Sequence, residues 1–177
     1  GADPSNSALS LTKDEIAILK QSSLIASGMF LPWSDQDAAD VSKSALQPKS
    51  LYSAPDALLQ LSDQQKVRFH QWARPSEIAR IRYEQGFSRT KQTPVMVKTI
   101  TPYTIKQQFV TDCSFIASLC ICAAFERRFR KRLITNILYP QTQQGALLYN
   151  PEGKYLVKLW LNGVARCVVI DDLLPID

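Results

Sequence analysis

The chain has 177 residues, enough for one compact domain or one and a half small ones, and its 45% hydrophobic and 21% charged residues are ordinary for a globular protein. It holds no apolar run long enough to span a bilayer and no signal-peptide pattern. The net charge of +5 is modest, and no aromatic-interleaved basic motif accompanies it, so nucleic acid is not an expected partner.

Gly1-Ala-Asp-Pro-Ser5 reads as an expression-vector remnant, and residues 6–60 as an N-terminal extension or linker with one short helix. Thr12-Lys-Asp-Glu15 is a capping box followed by Ile16, Ile18 and Leu19, which predicts a helix from about Lys13 to Ser22. Residues 27–55 are rich in proline, serine, aspartate and glutamine and read as irregular, surface-running chain. Ser62-Asp-Gln-Gln65 opens a second helix by the same capping logic. Val67, Phe69, Trp72 and Ala73 supply its apolar side, and Pro75 stops it after Arg74. His70, the sole histidine, falls in that helix and reads as packed or solvated rather than catalytic. Ile78 to Tyr83 can form another helical turn, and Val95 to Ile100 alternates as a strand does.

The strongest helix runs from Cys113 to about Ile134. Its first three turns are apolar nearly all round, which predicts a buried helix whose first residue opens at the floor of a surface cleft. The leading peptide N–H groups of a helix lack internal partners and carry partial positive charge, so a thiolate at Cys113 is favoured there. Burial as a small hydrophobe is the usual fate of a free cysteine and fits Cys120, Cys122 and Cys167. Four cysteines without Cys-x-x-Cys spacing read as reduced thiols of a cytosolic protein, and a structural zinc site is not expected. Arg127, Arg128, Arg130, Lys131 and Arg132 crowd the end of the helix. A solvated last turn complementing the macrodipole is the default reading, and a patch for an anionic membrane or an acidic partner is the alternative.

Beyond Tyr139-Pro140 the period changes. Tyr155 to Leu161, Asn162-Gly163 and Val164 to Ile170 form a hairpin, because Asn-Gly supplies the positive backbone angles of a two-residue type I′ turn. One apolar face and one edge of this hairpin need a cover from a partner or further chain.

Gln107-Gln-Phe-Val-Thr-Asp-Cys113, Ala124-Phe-Glu-Arg-Arg, Leu133-Ile-Thr, Tyr139-Pro-Gln, Tyr149-Asn-Pro-x-Gly-Lys-Tyr, Asn162-Gly-Val and Val169-Ile-Asp-Asp-x-Leu-Pro175 recur in order. With them the chain resembles the calpain-type, papain-like cysteine proteases. It is most similar to the PalB branch, which includes the seventh mammalian calpain and the fungal pH-signalling proteases. The resemblance is dense from about Gln107, extends back to Leu61 through Trp72-x-Arg-Pro-Ser-Glu77, and is thin before that. It implies an α+β fold, the N-terminal helical lobe of a protease core around a central buried helix, followed by an antiparallel hairpin. Residues 61–177 would be the N-terminal part of that core.

The resemblance further makes Cys113 the nucleophile and Gln107 the oxyanion-hole residue; from the residues alone Gln107 and Gln108 are equal candidates, and only the register decides. The family's histidine and asparagine lie downstream of the cysteine, beyond Asp177, so this chain is expected to hydrolyse nothing by itself. Ser114 stands where calcium-regulated calpains carry tryptophan. Thr104, a poor hard-cation ligand, stands where they carry a calcium-ligating aspartate, so no cofactor and no metal site is expected. The implied function is an intracellular endopeptidase acting through a cysteinyl thioester, and the alternative is a non-catalytic module completed by a partner chain. Implied partners are a protein substrate, the remainder of the protease core and endosomal-sorting (ESCRT) components, in a cytoplasmic protein recruited to endosomal membranes. Membrane contact would be weak and superficial. A third reading, with His70 as base to Cys113, requires the two within hydrogen-bond reach.

Overall fold

The computed structural model describes residues 12–25, 28–55, 61–106 and 112–176. Helix α1 (Lys13–Ser23) starts as its capping box predicts: the Thr12 hydroxyl accepts from the Glu15 N–H at 3.3 Å, and the Glu15 carboxylate accepts from the Thr12 N–H at 2.7 Å. Two short strands follow, β1 (Leu24–Ile25) and β2 (Gly28–Met29). The stretch read as irregular then contains a helix, α2 (Asp35–Leu46). Ser34 caps it, Asp35 and Asp37 sit in its first turn and Lys43 in its last, which suits the helix dipole. Pro32 and Pro48 flank this helix instead of interrupting it, and Ala38 and Val41 form its buried side.

The second predicted helix is shorter than expected. α3 (Asp63–Arg68) opens on the Ser62/Gln65 capping box, but the chain then turns extended and forms β3 (Gln71–Ala73). That strand pairs antiparallel with the far end of the chain, β7 (Leu174–Ile176), with Trp72 opposite Pro175. His70 is therefore not helical: its N–H donates to the Ile176 carbonyl at 2.8 Å and its side chain is exposed. Pro75 begins a helix instead of only ending one, at the first position of α4 (Pro75–Glu84), where a missing N–H costs nothing. Val95 to Ile100 form no strand; they run as irregular chain beside α5 (Cys113–Phe129), whose Cys120 Sγ lies 3.7 Å from the Pro102 carbonyl.

After α5 come α6 (Ile134–Ile137) and β4 (Leu138–Tyr139), and then β5 (Lys154–Leu161) and β6 (Val164–Asp171) make the predicted hairpin. Asn162 and Gly163 both have positive φ, 51° and 75°, as the turn demands. The sheet order is β4-β5-β6.

The chain's own N-terminal segment supplies the cover this sheet needs. Along the outer edge of β6, the Trp33 N–H donates to the Ala165 carbonyl at 2.8 Å and the Cys167 N–H donates to the Leu31 carbonyl at 2.9 Å. Arg166 is buried and donates to the Ser23 hydroxyl and to the carbonyls of Phe30 and Ser22, all within 3.0–3.1 Å. Val41 of α2 packs on Leu156 and Cys167, with Trp33 and Tyr139 closing the cluster. An edge satisfied in this way no longer invites another strand.

The α+β class stands, but within this chain α5 is not a buried helix. Ala123 is its one buried residue among those described, while Phe115, Ile121 and Phe129 are 55%, 71% and 51% exposed. Its neighbours here, α6 and the irregular stretch around Met96 to Ile105, cover only the side that carries Leu119 and Ala123.

Candidate active-site cysteine

Cys113 is the first residue of α5 and is exposed. Asp112 caps the helix: its carboxylate accepts from the Phe115 N–H and from the Ser114 hydroxyl, each at 3.2 Å. The thiol stands beside this cap, at the N-terminal end of a 17-residue helix. Gln107 and Gln108 lie outside the described residues, so the register of the oxyanion-hole candidate is not decided by this geometry. No hydrogen bond joins His70 to the Cys113 sulfur among the described residues, which leaves the His70-as-base reading without support. Thr104 directs its hydroxyl to the Thr101 carbonyl at 2.8 Å within a turn.

The motif stretches that surround the cysteine in sequence serve to position its helix. Glu126 of α5 accepts the N–H groups of Leu133, Ile134 and Thr135 at 2.9–3.2 Å and the Thr135 hydroxyl at 2.5 Å, so Ala124-Phe-Glu and Leu133-Ile-Thr form one interaction that caps α6. Gln141, from Tyr139-Pro-Gln, extends the chain of bonds: its amide donates to the carbonyls of Thr135 and Leu138, and its N–H donates to the Ser42 hydroxyl of α2. The cysteine helix is thereby tied through α6 and Gln141 to the helix that covers the sheet.

Burial raises the Glu126 carboxyl, but the Thr135 hydroxyl and the three N–H donors together hold it below the usual carboxylate value of 4.5. A carboxyl depressed in the folded state contributes stability that is present above its unfolded pKa and lost as pH falls through the lower folded value. The Leu133–Thr135 amide resonances should therefore shift together with a midpoint below 4.5. A midpoint at or above that value would contradict the capping role.

A second set of motif residues builds a buried clamp. Arg74 at the start of α4 forms an ion pair with Asp172 and donates to the Tyr52 carbonyl at 2.5 Å. Gly153 has φ 74°, and any side chain there would collide with both Arg74 and Asp172. Asn150 is fully buried; its amide donates to the Lys154 carbonyl at 2.8 Å, and its N–H donates to the Tyr155 hydroxyl at 3.1 Å. Burial pushes Tyr155 up to about 12. Arg-Pro-Ser-Glu, Asn-Pro-x-Gly-Lys-Tyr and Asp-Asp are thus one packing unit. Periodicity gave no sign of it, because the pair joins residues 98 positions apart and its burial is visible only in the fold.

A profile of the calpain family cysteine proteases (Peptidase_C2) matches residues 45–177. Calpain-7 of Mus musculus is 43% identical over 170 residues and Calpain-7 of Homo sapiens 42%, each covering 94% of this chain and 18% of the relative. The calpain-like protease palB/RIM13 of Aspergillus oryzae is 34% identical over 166 residues, 93% of this chain and 18% of the relative. The chain thus spans under a fifth of the length of these curated relatives. No solved structure matches it. With the family profile covering three quarters of the sequence, and with a cysteine-headed helix held by the same motif stretches, the chain belongs to the calpain family of cysteine proteases.

Proposed function

We propose that this chain is the cysteine-bearing part of a PalB-type endopeptidase, with Cys113 as its nucleophile. The observation that carries the reading is the exposed thiol at the first position of α5, inside the family match. In the complete site the Cys113 thiolate attacks the scissile carbonyl carbon, and the oxyanion is held by the Cys113 N–H and the Gln107 side-chain amide. The C–N bond breaks, the amine leaves with a proton from a histidine outside these residues, and water hydrolyses the thioester. The remainder of the protease core would cover Phe115 and Ile121, both open here. Calcium has no part in this scheme, and the same reading places the protein in the cytoplasm, linked to ESCRT components and pH signalling by its PalB likeness. The non-catalytic module is the alternative, with a partner chain on the same open side of α5.

Alkylation of the native 177-residue chain near neutral pH tests the nucleophile. Cys113 should react first, the exposure of the residue and its place at the helix start acting together, followed by Cys120 and Cys122. Cys167 should react last, since burial chiefly, and Asp37 in addition, push its thiol up. Native Cys113 should also react about two- to fivefold faster than the same thiol in the urea-unfolded chain, the rate equivalent of a helix-terminus interaction of ~0.3–1 kcal/mol. Equal native and unfolded rates would leave exposure as the whole explanation and remove the preformed nucleophile.

A further inference from the structure

The far end of α5 carries Arg127, Arg128, Arg130, Lys131 and Arg132, all exposed. Arg127, Arg130 and Arg132 line a single open cleft of about 420 Å³, together with Glu126 and residues Thr99, Ile100 and Thr101. Its one carboxylate is already committed, since Glu126 accepts the four hydrogen bonds that cap α6. The salt bridges among the described residues are Lys66–Asp63, Arg74–Asp172 and Arg80–Glu84, and none reaches this cleft.

Two details indicate a built site rather than a frayed helix end. Arg132 is anchored by donating to the Gly145 carbonyl at 2.7 Å, and Gly145 (φ 79°) leaves the space the guanidinium occupies. Arg130 occupies the left-handed conformation (φ 54°, ψ 28°) at the helix C-terminus, where glycine is the unstrained choice. An arginine in the left-handed region that lines a cleft with two others is a reason to look for what binds there.

Planar guanidinium groups pair bidentately with phosphate oxygens, and several around one cleft suit a multiply charged anion. We propose that this cleft binds a multiply phosphorylated small molecule, free or as a lipid headgroup, for which inositol phosphates are the probe. It lies at the opposite end of α5 from Cys113, roughly 24 Å along the helix axis, and is therefore distinct from the thiol site.

Titration calorimetry of the 177-residue chain with inositol hexakisphosphate at about 150 mM salt, where long-range charge is screened, is the test. In parallel, the chain is sedimented with phosphatidylcholine vesicles, with and without a phosphoinositide. Arg127→Gln and Arg130→Asn, the latter chosen because asparagine tolerates the left-handed backbone, should each weaken binding about tenfold. Arg128→Gln and Lys131→Gln remove the same charge outside the cleft and should change it no more than about twofold. Binding of both probes supports a small phosphorylated ligand. Binding only to phosphoinositide vesicles, with the same variant dependence, supports the lipid as source. The proposal is overturned if neither probe binds, if the control variants weaken binding as much as the cleft variants, or if poly-glutamate binds as tightly as the inositol phosphate.

Discussion

Replacing Cys113 with alanine is expected to lower kcat/KM for peptide hydrolysis by about 10⁴-fold or more in a full-length protein that carries the proposed activity, because the proposed mechanism forms its acyl intermediate on the Cys113 sulfur. Gln107→Ala should cost about 10²–10³-fold in kcat, the effect of removing one oxyanion donor, with KM little changed. Gln108→Ala supplies the comparison that the described residues do not. An effect of that size at Gln108 with Gln107 unaffected would shift the oxyanion register by one residue. Retention of activity by Cys113→Ala would remove the proposed mechanism altogether.

Asp172→Asn should destabilise the fold by about 3–5 kcal/mol, measured as urea unfolding of this chain, since it keeps the side chain's shape but leaves a buried guanidinium without its counter-charge. Arg74 is only 7% exposed and Asp172 8%, so water cannot replace the lost partner. The clamp joins β3 and α4 to the end of β6, and the Tyr52 carbonyl bound by Arg74 draws the N-terminal segment into the same unit. The double variant Arg74→Met with Asp172→Leu should recover much of the loss, because it removes the desolvated charges together. A loss under about 1 kcal/mol for Asp172→Asn would show the pair to be solvated in practice and would remove its role as the clamp.

The motif stretches shared with the calpain family thus divide into two kinds. One kind holds the proposed chemistry, and among the described residues it is represented by Asp112-Cys113. The other kind sets where that chemistry stands. Glu126, Thr135 and Gln141 fix α5 against α6 and α2, while Arg74, Gly153 and Asp172 fix the sheet end to β3. A cysteine helix open along Phe115 and Ile121 still has a defined relation to the sheet because of these bonds.

What the sequence determined by itself was local. Thr12 with Glu15 and Ser62 with Gln65 announced two helix starts, because a cap is satisfied within three residues. Asn162-Gly163 announced the hairpin, because only a few residues accept two successive positive φ angles. The start of α5 at Cys113 was visible for the same kind of reason, and its motif carried the family. The tertiary structure decided everything that depends on residues far apart in the chain. Gln71 to Ala73 looked like the continuation of a helix and became a strand because Leu174–Ile176 pairs with it. The segment around α2 looked irregular and became the cover of the sheet, held in part by an Arg166 bond to the Phe30 carbonyl, 136 positions away. Conversely, Val95 to Ile100 had the alternation of a strand and found no strand partner among the described residues. Caps, turns and periods are settled by neighbouring dihedrals and hydrogen bonds. Strand pairing and burial are settled by which distant surface arrives to satisfy them, and that information lies in no local stretch of the chain.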